Sequence, residues 1–281
     1  MNWLARLFPQ NQARKLFDET RIAAEGGDAT AQYDLGIYYS AGQGTIKNEA
    51  EAVKWWRKSA EQNFAPAQLN LGICYGLGLG VEKSDTEAVK WWRKAADQNL
   101  LQAQTNLGAC YEKGQGATKD PIAAASWYRR AADQNYPDGQ HSLGYCYANG
   151  IGVKRDEVEA VKWYRKAADQ NLAKSQHNLG LCYFSGEGVA KDEIEAVKWW
   201  LKAAEQNLAE AQQDLGICYV NGIGVPKDYL EAYKWLNLAA AQGNGFAKQY
   251  LPSLENAMTP EQIAEAQRHC REFVNHRLHR F

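Results

Sequence analysis

The groups in this sequence able to do chemistry are thiols, imidazoles and glycine-rich turns, and their spacing decides which chemistry is open to them. Five of the six cysteines, Cys74, Cys110, Cys146, Cys182 and Cys218, stand 36 residues apart, and Tyr38 holds the same place one step earlier. If each step is one stacked unit, equivalent thiols lie on the order of 10 Å apart, beyond the reach of a disulfide. They read as small buried apolar side chains, with redox or metal chemistry the alternative. His269, Glu272, His276 and His279 follow an i, i+3, i+7, i+10 pattern near Cys270, a spacing that gathers metal ligands on one helix face. With Arg268, Arg271 and Arg277 among them, a solvated polar face is the better reading, and no metal site is assigned. Gly-x-Gly recurs six times, from Gly42/Gly44 to Gly222/Gly224. A dinucleotide or phosphate turn needs such glycines between a strand and a helix, so six copies between helical stretches are structural. No Ser/His/Asp or Cys/His set is brought together; the expectation is no enzyme activity and no cofactor.

The period itself must come from the elements that carry these residues. Gly36, Gly72, Gly108, Gly144, Gly180 and Gly216 repeat the 36-residue step within a Leu-Gly pair, and Trp55, Trp91, Trp127, Trp163, Trp199 and Trp235 repeat it again. Such columns hold 18 of the 24 glycines and, with Trp56, Trp92 and Trp200 beside three of those tryptophans, nine of the ten tryptophans, so the composition is one motif counted six times. A chain of 281 residues would otherwise suggest two globular domains. Six units run over 28–63, 64–99, 100–135, 136–171, 172–207 and 208–243. An N-terminal segment and capping helix occupy 1–27, and a partial repeat with a C-terminal capping helix occupies 244–281.

Each unit reads as two helices. Ala31, Leu35 and Tyr39 share one face of the first, which the Gly-x-Gly pair ends. The second begins at Asn48, Ser84, Asp120, Asp156, Asp192 or Asp228, with Glu three residues on in all but the third unit, completing a capping box. It stops at Asn63, Asn99, Asn135, Asn171, Asn207 or Gly243, residues that tolerate the left-handed conformation. Small residues let the helices approach, and tryptophan fills the space between neighbouring hairpins. The invariant Gln32, Gln68, Gln104, Gln140, Gln176 and Gln212 are read as hydrogen-bonding between repeats. A cation precedes each N-cap, Lys47 being the first; it either pairs with an acid of a neighbouring unit or forms an edge that meets an acidic partner.

Taken as Ala67, Leu71-Gly72, Tyr75, Gly78-x-Gly80-Val81, Ala88, Trp91 and Ala95-Ala96, these columns resemble the Sel1-like repeat, a relative of the tetratricopeptide repeat. The resemblance implies an all-α fold, a right-handed α-solenoid superhelix of stacked helix-turn-helix hairpins with the first helices on its concave face. It also implies work as an adaptor or scaffold for protein complexes, widely in bacteria. Secreted relatives with paired cysteines in each repeat are credited with a penicillin-binding hydrolase activity; one cysteine per unit does not carry that over.

Columns that repeat hold the stack, whereas columns that vary are free to recognise a partner, because a partner is not periodic. The apolar column Ile37, Ile73, Ala109, Tyr145, Leu181 and Ile217 lies beside Tyr33, Leu69, His141, His177 and Gln213. Asn70, Asn106 and Asn178 flank it on the other side. An apolar stripe next to amides suits an extended or helical peptide, the amides bonding its backbone; packing of first helix against first helix is the alternative. Charge supports a protein partner over nucleic acid, since 32 Lys and Arg balance 33 Asp and Glu. An RNA-binding helical repeat and an immunity protein of a toxin or secretion system are the rival functions. Unpaired thiols and the lack of a signal-peptide core point to the cytoplasm. Residues 1–17, with Trp3, Leu4, Leu7 and Phe8 on one side, read as a cap helix, a targeting or membrane-touching segment being the alternative.

Overall fold

The structure is a computed structural model that describes residues 10–278, so the expectation for Trp3, Leu4, Leu7 and Phe8 falls outside the described residues. The described residues form fifteen helices and no strand. In chain order these are α1 (Gln10–Glu25), α2 (Ala29–Ala41), α3 (Glu49–Glu61), α4 (Ala65–Leu77), α5 (Asp85–Asp97), α6 (Leu101–Lys113), α7 (Pro121–Ala132) and α8 (Pro137–Asn149). There follow α9 (Glu157–Asp169), α10 (Ala173–Ser185), α11 (Glu193–Glu205), α12 (Ala209–Asn221), α13 (Tyr229–Ala241), α14 (Gly245–Glu255) and α15 (Pro260–Leu278). The fold class is an all-α solenoid of helical hairpins, divided into two compact units. One runs to Ser142 and includes Ile151–Val153; the other holds Leu143–Gly150 and everything from Lys154 onward. In the first, consecutive helices from α1 to α7 pack on one another; in the second, α9 to α14 do so and α15 covers α13. No described helix is long and apolar enough to cross a membrane.

The hairpin is closed by two kinds of glycine. A Cβ on Gly36 would overlap the indole of Trp56, and one on Gly72 the indole of Trp92, so the Leu-Gly column seats a large side chain on the helix backbone, an aromatic ring in five repeats and Leu236 on Gly216 in the sixth. Tyr128, Tyr164 and Trp200 sit on Gly108, Gly144 and Gly180 in the same way. The second glycine of each loop serves a different contact. Gly80 has φ +65° and lies against the Glu49 carbonyl of the preceding repeat, as Gly188 does against Glu157. Gly44 meets the carbonyl of Ala13 at the same point, which puts α1 where a preceding second helix would stand. The two tryptophan columns therefore divide the packing. Trp56 and its equivalents fill the hairpin, whereas Trp91 and Trp199 pack against the preceding second helix through Val53 and Val161.

At the second-helix N-termini the expected capping boxes form only by half. Asn48 accepts from the Glu51 N–H, and Asp156 from that of Glu159. The N–H of each N-cap is taken instead by a first-helix carbonyl, Asn48 donating to Tyr39 at 2.8 Å and Asp192 to Tyr183 at 2.9 Å. Released from the cap, Glu159 pairs with Lys162 at 2.9 Å and Glu195 with Lys198 at 3.0 Å. A reciprocal box does form at α15, between Thr259 and Gln262. The cation before the N-cap departs from both expectations in four units, Lys83 approaching Asp85 at 3.9 Å. Lys47, Arg155 and Lys191 pair with Glu49, Glu157 and Glu193, two residues ahead in their own unit.

The invariant glutamines do link repeats. Gln68 donates to the Ala60 carbonyl and to Asn63 Oδ1, and Gln98 Nε2 donates to both Gln68 Oε1 and Asn63 Oδ1. Gln176, Asn171 and Gln206 repeat the set in the second unit. Asn63, Asn99, Asn135, Asn171 and Asn207 have φ between 62° and 71°, so each ends its helix in the left-handed region and presents its amide to this ladder.

Candidate partner-binding face

The variable columns lie on the first helices, and what they build differs along the chain. In the first unit they open two cavities. One, of about 340 Å³, is lined by Ile37, Ser40, Glu49, Trp56, Asn70 and Ile73. The other, of about 290 Å³, is lined by Ile73, Gly76, Asp85, Trp92, Asn106 and Ala109. Each of these residues of the first cavity has its counterpart 36 positions on in the second, so this is one site formed twice, with Ile73 as the shared wall. The second cavity owes its depth to Gly76, which leaves the six-membered edge of Trp92 uncovered; a Cβ there would lie 3.3 Å from Cη2. In the fifth repeat Phe184 holds that column and packs on Trp200 with ring centroids 5.4 Å apart.

Five of the expected site residues, Ile37, Asn70, Ile73, Asn106 and Ala109, thus line cavities. Tyr33 is half-buried at the neighbouring position and bonds Asn70 through its hydroxyl. Burial first, and then the Asp34 carboxylate, raise its pKa. Burial and Asp28 likewise raise that of Asp34. Leu69 belongs to the core at 8% exposure, packed with Val89 and Leu107, and presents almost nothing to a partner. His141 is half-buried.

In the second unit the same columns give a surface with projecting side chains. Tyr145 and Leu181 are 42% and 41% exposed, and Ile217 is half-buried. His177 Nε2 lies 2.9 Å from Asp214 Oδ2, Asn178 bonds the Tyr164 hydroxyl, and Asn244 donates to Gln213 Oε1 at 3.0 Å. The polar columns therefore already spend part of their hydrogen-bonding capacity on neighbouring repeats, leaving the remainder of each amide for a ligand.

The cavity residues absent from the sequence reading are Gly76, Trp92, Trp56, Glu49 and Asp85. Gly76 had a signal: its column runs Ser40, Gly76, Glu112, Ala148, Phe184, Val220 and is as variable as any. Cys74, Cys110, Cys146 and Cys218 are buried, Cys182 is half-buried, and none of them is in a disulfide. Burial, with the Glu49 carboxylate second, pushes the Cys74 thiol up to about 12, and burial with Asp85 pushes Cys110 to about 11. Around His269 and Glu272 no metal-binding group forms among the described residues; the His276 side chain and His279 lie outside them.

The Sel1 repeat profile matches residues 29–64, 65–100, 101–136, 137–172, 173–208 and 209–244. A sel1-like repeat-containing protein of Acanthamoeba polyphaga mimivirus is 47% identical over 45 residues, which is 16% of this chain and 8% of that protein. Among solved structures, a protective antigen present in uropathogenic Escherichia coli strains, displaying an SLR fold, superposes with a TM-score of 0.79 at 37% identity. That match covers 91% of this chain and 56% of the Escherichia coli chain, so this chain spans little more than half its length. A Sel1 repeat protein from Oxalobacter formigenes gives 0.73 at 36% identity, covering 76% of this chain and 85% of its own. With six matched units spanning most of its length, the chain belongs to the Sel1 repeat family.

Proposed function

We propose that the chain is a non-catalytic scaffold that holds a peptide or protein partner on the face of its first helices. The observation that carries this reading is the pair of equivalent cavities in the first unit, lined by the columns that vary between repeats. A cavity with apolar walls and a few convergent polar groups is the usual form of a recognition site. Tyr145 and Leu181, exposed in the same apolar column of the second unit, supply side chains that a partner surface can bury. High thiol pKa values support the non-catalytic half of the reading, since a thiol held protonated at neutral pH is a poor nucleophile.

The test is affinity capture from the source cell with wild type, Ile73→Asp and Tyr145→Ser/Leu181→Ser, with Lys90→Ala on the second-helix side as a control. Partners identified by mass spectrometry with wild type and the control should fall by about tenfold or more with the first-helix variants. Far-UV circular dichroism must remain unchanged. Equal recovery of the same partner by Ile73→Asp and by wild type would place binding elsewhere.

A further inference from the structure

The two cavities of the first unit share more than apolar walls. Each has a tryptophan, Trp56 or Trp92, in its wall, an asparagine amide, Asn70 or Asn106, and one carboxylate, Glu49 or Asp85. Both carboxylates are anchored through a single oxygen. Lys47 pairs with Glu49 Oε1 at 2.8 Å, while Gln115 and Lys83 approach Asp85 Oδ1 at 3.1 and 3.9 Å. Glu49 and Asp85 keep 31% and 33% of their side-chain surface exposed, which a ligand cation can reach. An indole, a carboxylate oxygen and an amide carbonyl are together groups that receive a guanidinium, by contact with the ring and by charge-assisted hydrogen bonds. The aliphatic stem of the same side chain suits walls made by Ile37, Ile73 and Ala109. The protein already uses this chemistry on its other helices, where Lys58 and Arg130 lie 4.0 and 4.3 Å from the ring centroids of Trp55 and Trp127.

Spacing selects the ligand backbone. The cavities are one repeat apart and share Ile73 as a wall, a step on the order of 10 Å in a stack of helical hairpins. A polyproline II segment returns to the same side every third residue, advancing about 9 Å. Its backbone groups make no internal hydrogen bonds and are free to meet Asn70 and Asn106. Building on the partner-binding reading above, we propose that this pair of cavities receives two arginine side chains of an Arg-x-x-Arg segment in polyproline II form. The cavity at Gly76 is the principal one, because the Trp92 ring is open there whereas Trp56 is 5% exposed. Lys113 on its wall is the one opposing charge among the lining residues.

The test is fluorescence polarisation of the full chain with labelled peptides carrying an Arg-Pro-Pro-Arg core, a norleucine twin with both arginines replaced, and an Arg-Pro-Arg core of wrong spacing. The first should bind about tenfold more tightly than either other peptide, and the preference should shrink with added salt. Asp85→Asn should weaken the arginine peptide about tenfold and leave the norleucine peptide unchanged, and Lys113→Ala should strengthen it about threefold. Gly76→Phe, which copies the Phe184 column residue, should abolish binding with helicity intact. Equal affinity for the norleucine twin, indifference to spacing or to Asp85→Asn, or no binding of any peptide by the folded chain overturns the proposal. If Ile73→Asp still loses its captured partner in that case, the first-helix face stands and only the arginine assignment falls.

Discussion

Gly72 and Gly76 lie one turn apart in α4 beneath the same indole, and alanine at the two positions should act with opposite sign. On propensity alone, alanine in place of a helical glycine stabilises by about 1 kcal/mol, less in a last turn. At Gly72 the new methyl falls onto Nε1 and Cδ1 of Trp92. The ring runs from there to Gly76, so it cannot withdraw without giving up its whole seat. Overpacking of this kind costs about 1–3 kcal/mol, and taking the upper part of that range leaves a net loss of about 1–2 kcal/mol for Gly72→Ala. At Gly76 the added Cβ sits 3.3 Å from Cη2 and 3.8 Å from the Ala88 Cβ, with the cavity beside it. The ring edge can yield a few tenths of an ångström there, and Gly76→Ala should gain about 0.5 kcal/mol. Urea unfolding followed by circular dichroism gives both midpoints. Because repeat arrays can unfold in stages, amide exchange across α4 and α5 should report the same ordering locally. The same sign of change at both glycines would refute the idea that the indole seat, and not backbone freedom, fixes the Leu-Gly pair.

Two further outcomes follow from the loops and the thiols. Gly186→Ala meets mainly the left-handed backbone, φ +81°, at about 1–2 kcal/mol, whereas Gly188→Ala also collides with the Glu157 carbonyl and should lose at least about 1 kcal/mol more; equal chemical-denaturation midpoints would remove the inter-repeat contact as the reason for that glycine. Burial raises Cys74 and Cys218 from the ordinary 9.0 to about 12, so the unfolded chain ionises first. Their contribution to stability is complete below pH 9 and is lost as pH climbs through 12, and melting curves of Cys74→Ala/Cys218→Ala should fall less steeply over that range than those of wild type.

Much of the fold is legible in the sequence because it is built from contacts that recur. Asn63 and its copies announce a left-handed helix end, and Gln32 and its copies announce a link between repeats, since each copy meets the same neighbours. The misreadings come from competition with groups distant in sequence. Glu51 has the spacing of a capping-box residue, but the Asn48 N–H is already taken by the Tyr39 carbonyl, and the freed carboxylate turns to Lys54. Lys47 reads as pairing with an acid of a neighbouring unit or with an acidic partner, yet Glu49 of its own unit is 2.8 Å away. For the site, the columns of Ile37 and Asn70 can be read from their variability and helical phase. The cavities cannot, because a cavity is missing volume: it arises from the absent side chain at Gly76, the small Ala109 and the ring of Trp92 acting together. Leu69 shows the opposite effect, since its column reads as partner-facing, yet Leu69 and Thr105 are buried and the other copies are half-buried.

The amide ladder has a consequence for how such a chain can change length. Within either unit, Gln68 or Gln176 finds its acceptors in the helix end before it, and Gln98 or Gln206 reaches back to the Asn63 or Asn171 of that same end. Each of these two rungs is thus complete with only a like rung on each side and needs no particular neighbour. A tandem duplication or loss of 36 codons leaves all these donors and acceptors matched, while a gain or loss out of phase strands several buried amides at once. The number of units is therefore free to drift by recombination while the phase is locked, and a recognition surface can lengthen by one cavity at a time without renegotiating its core.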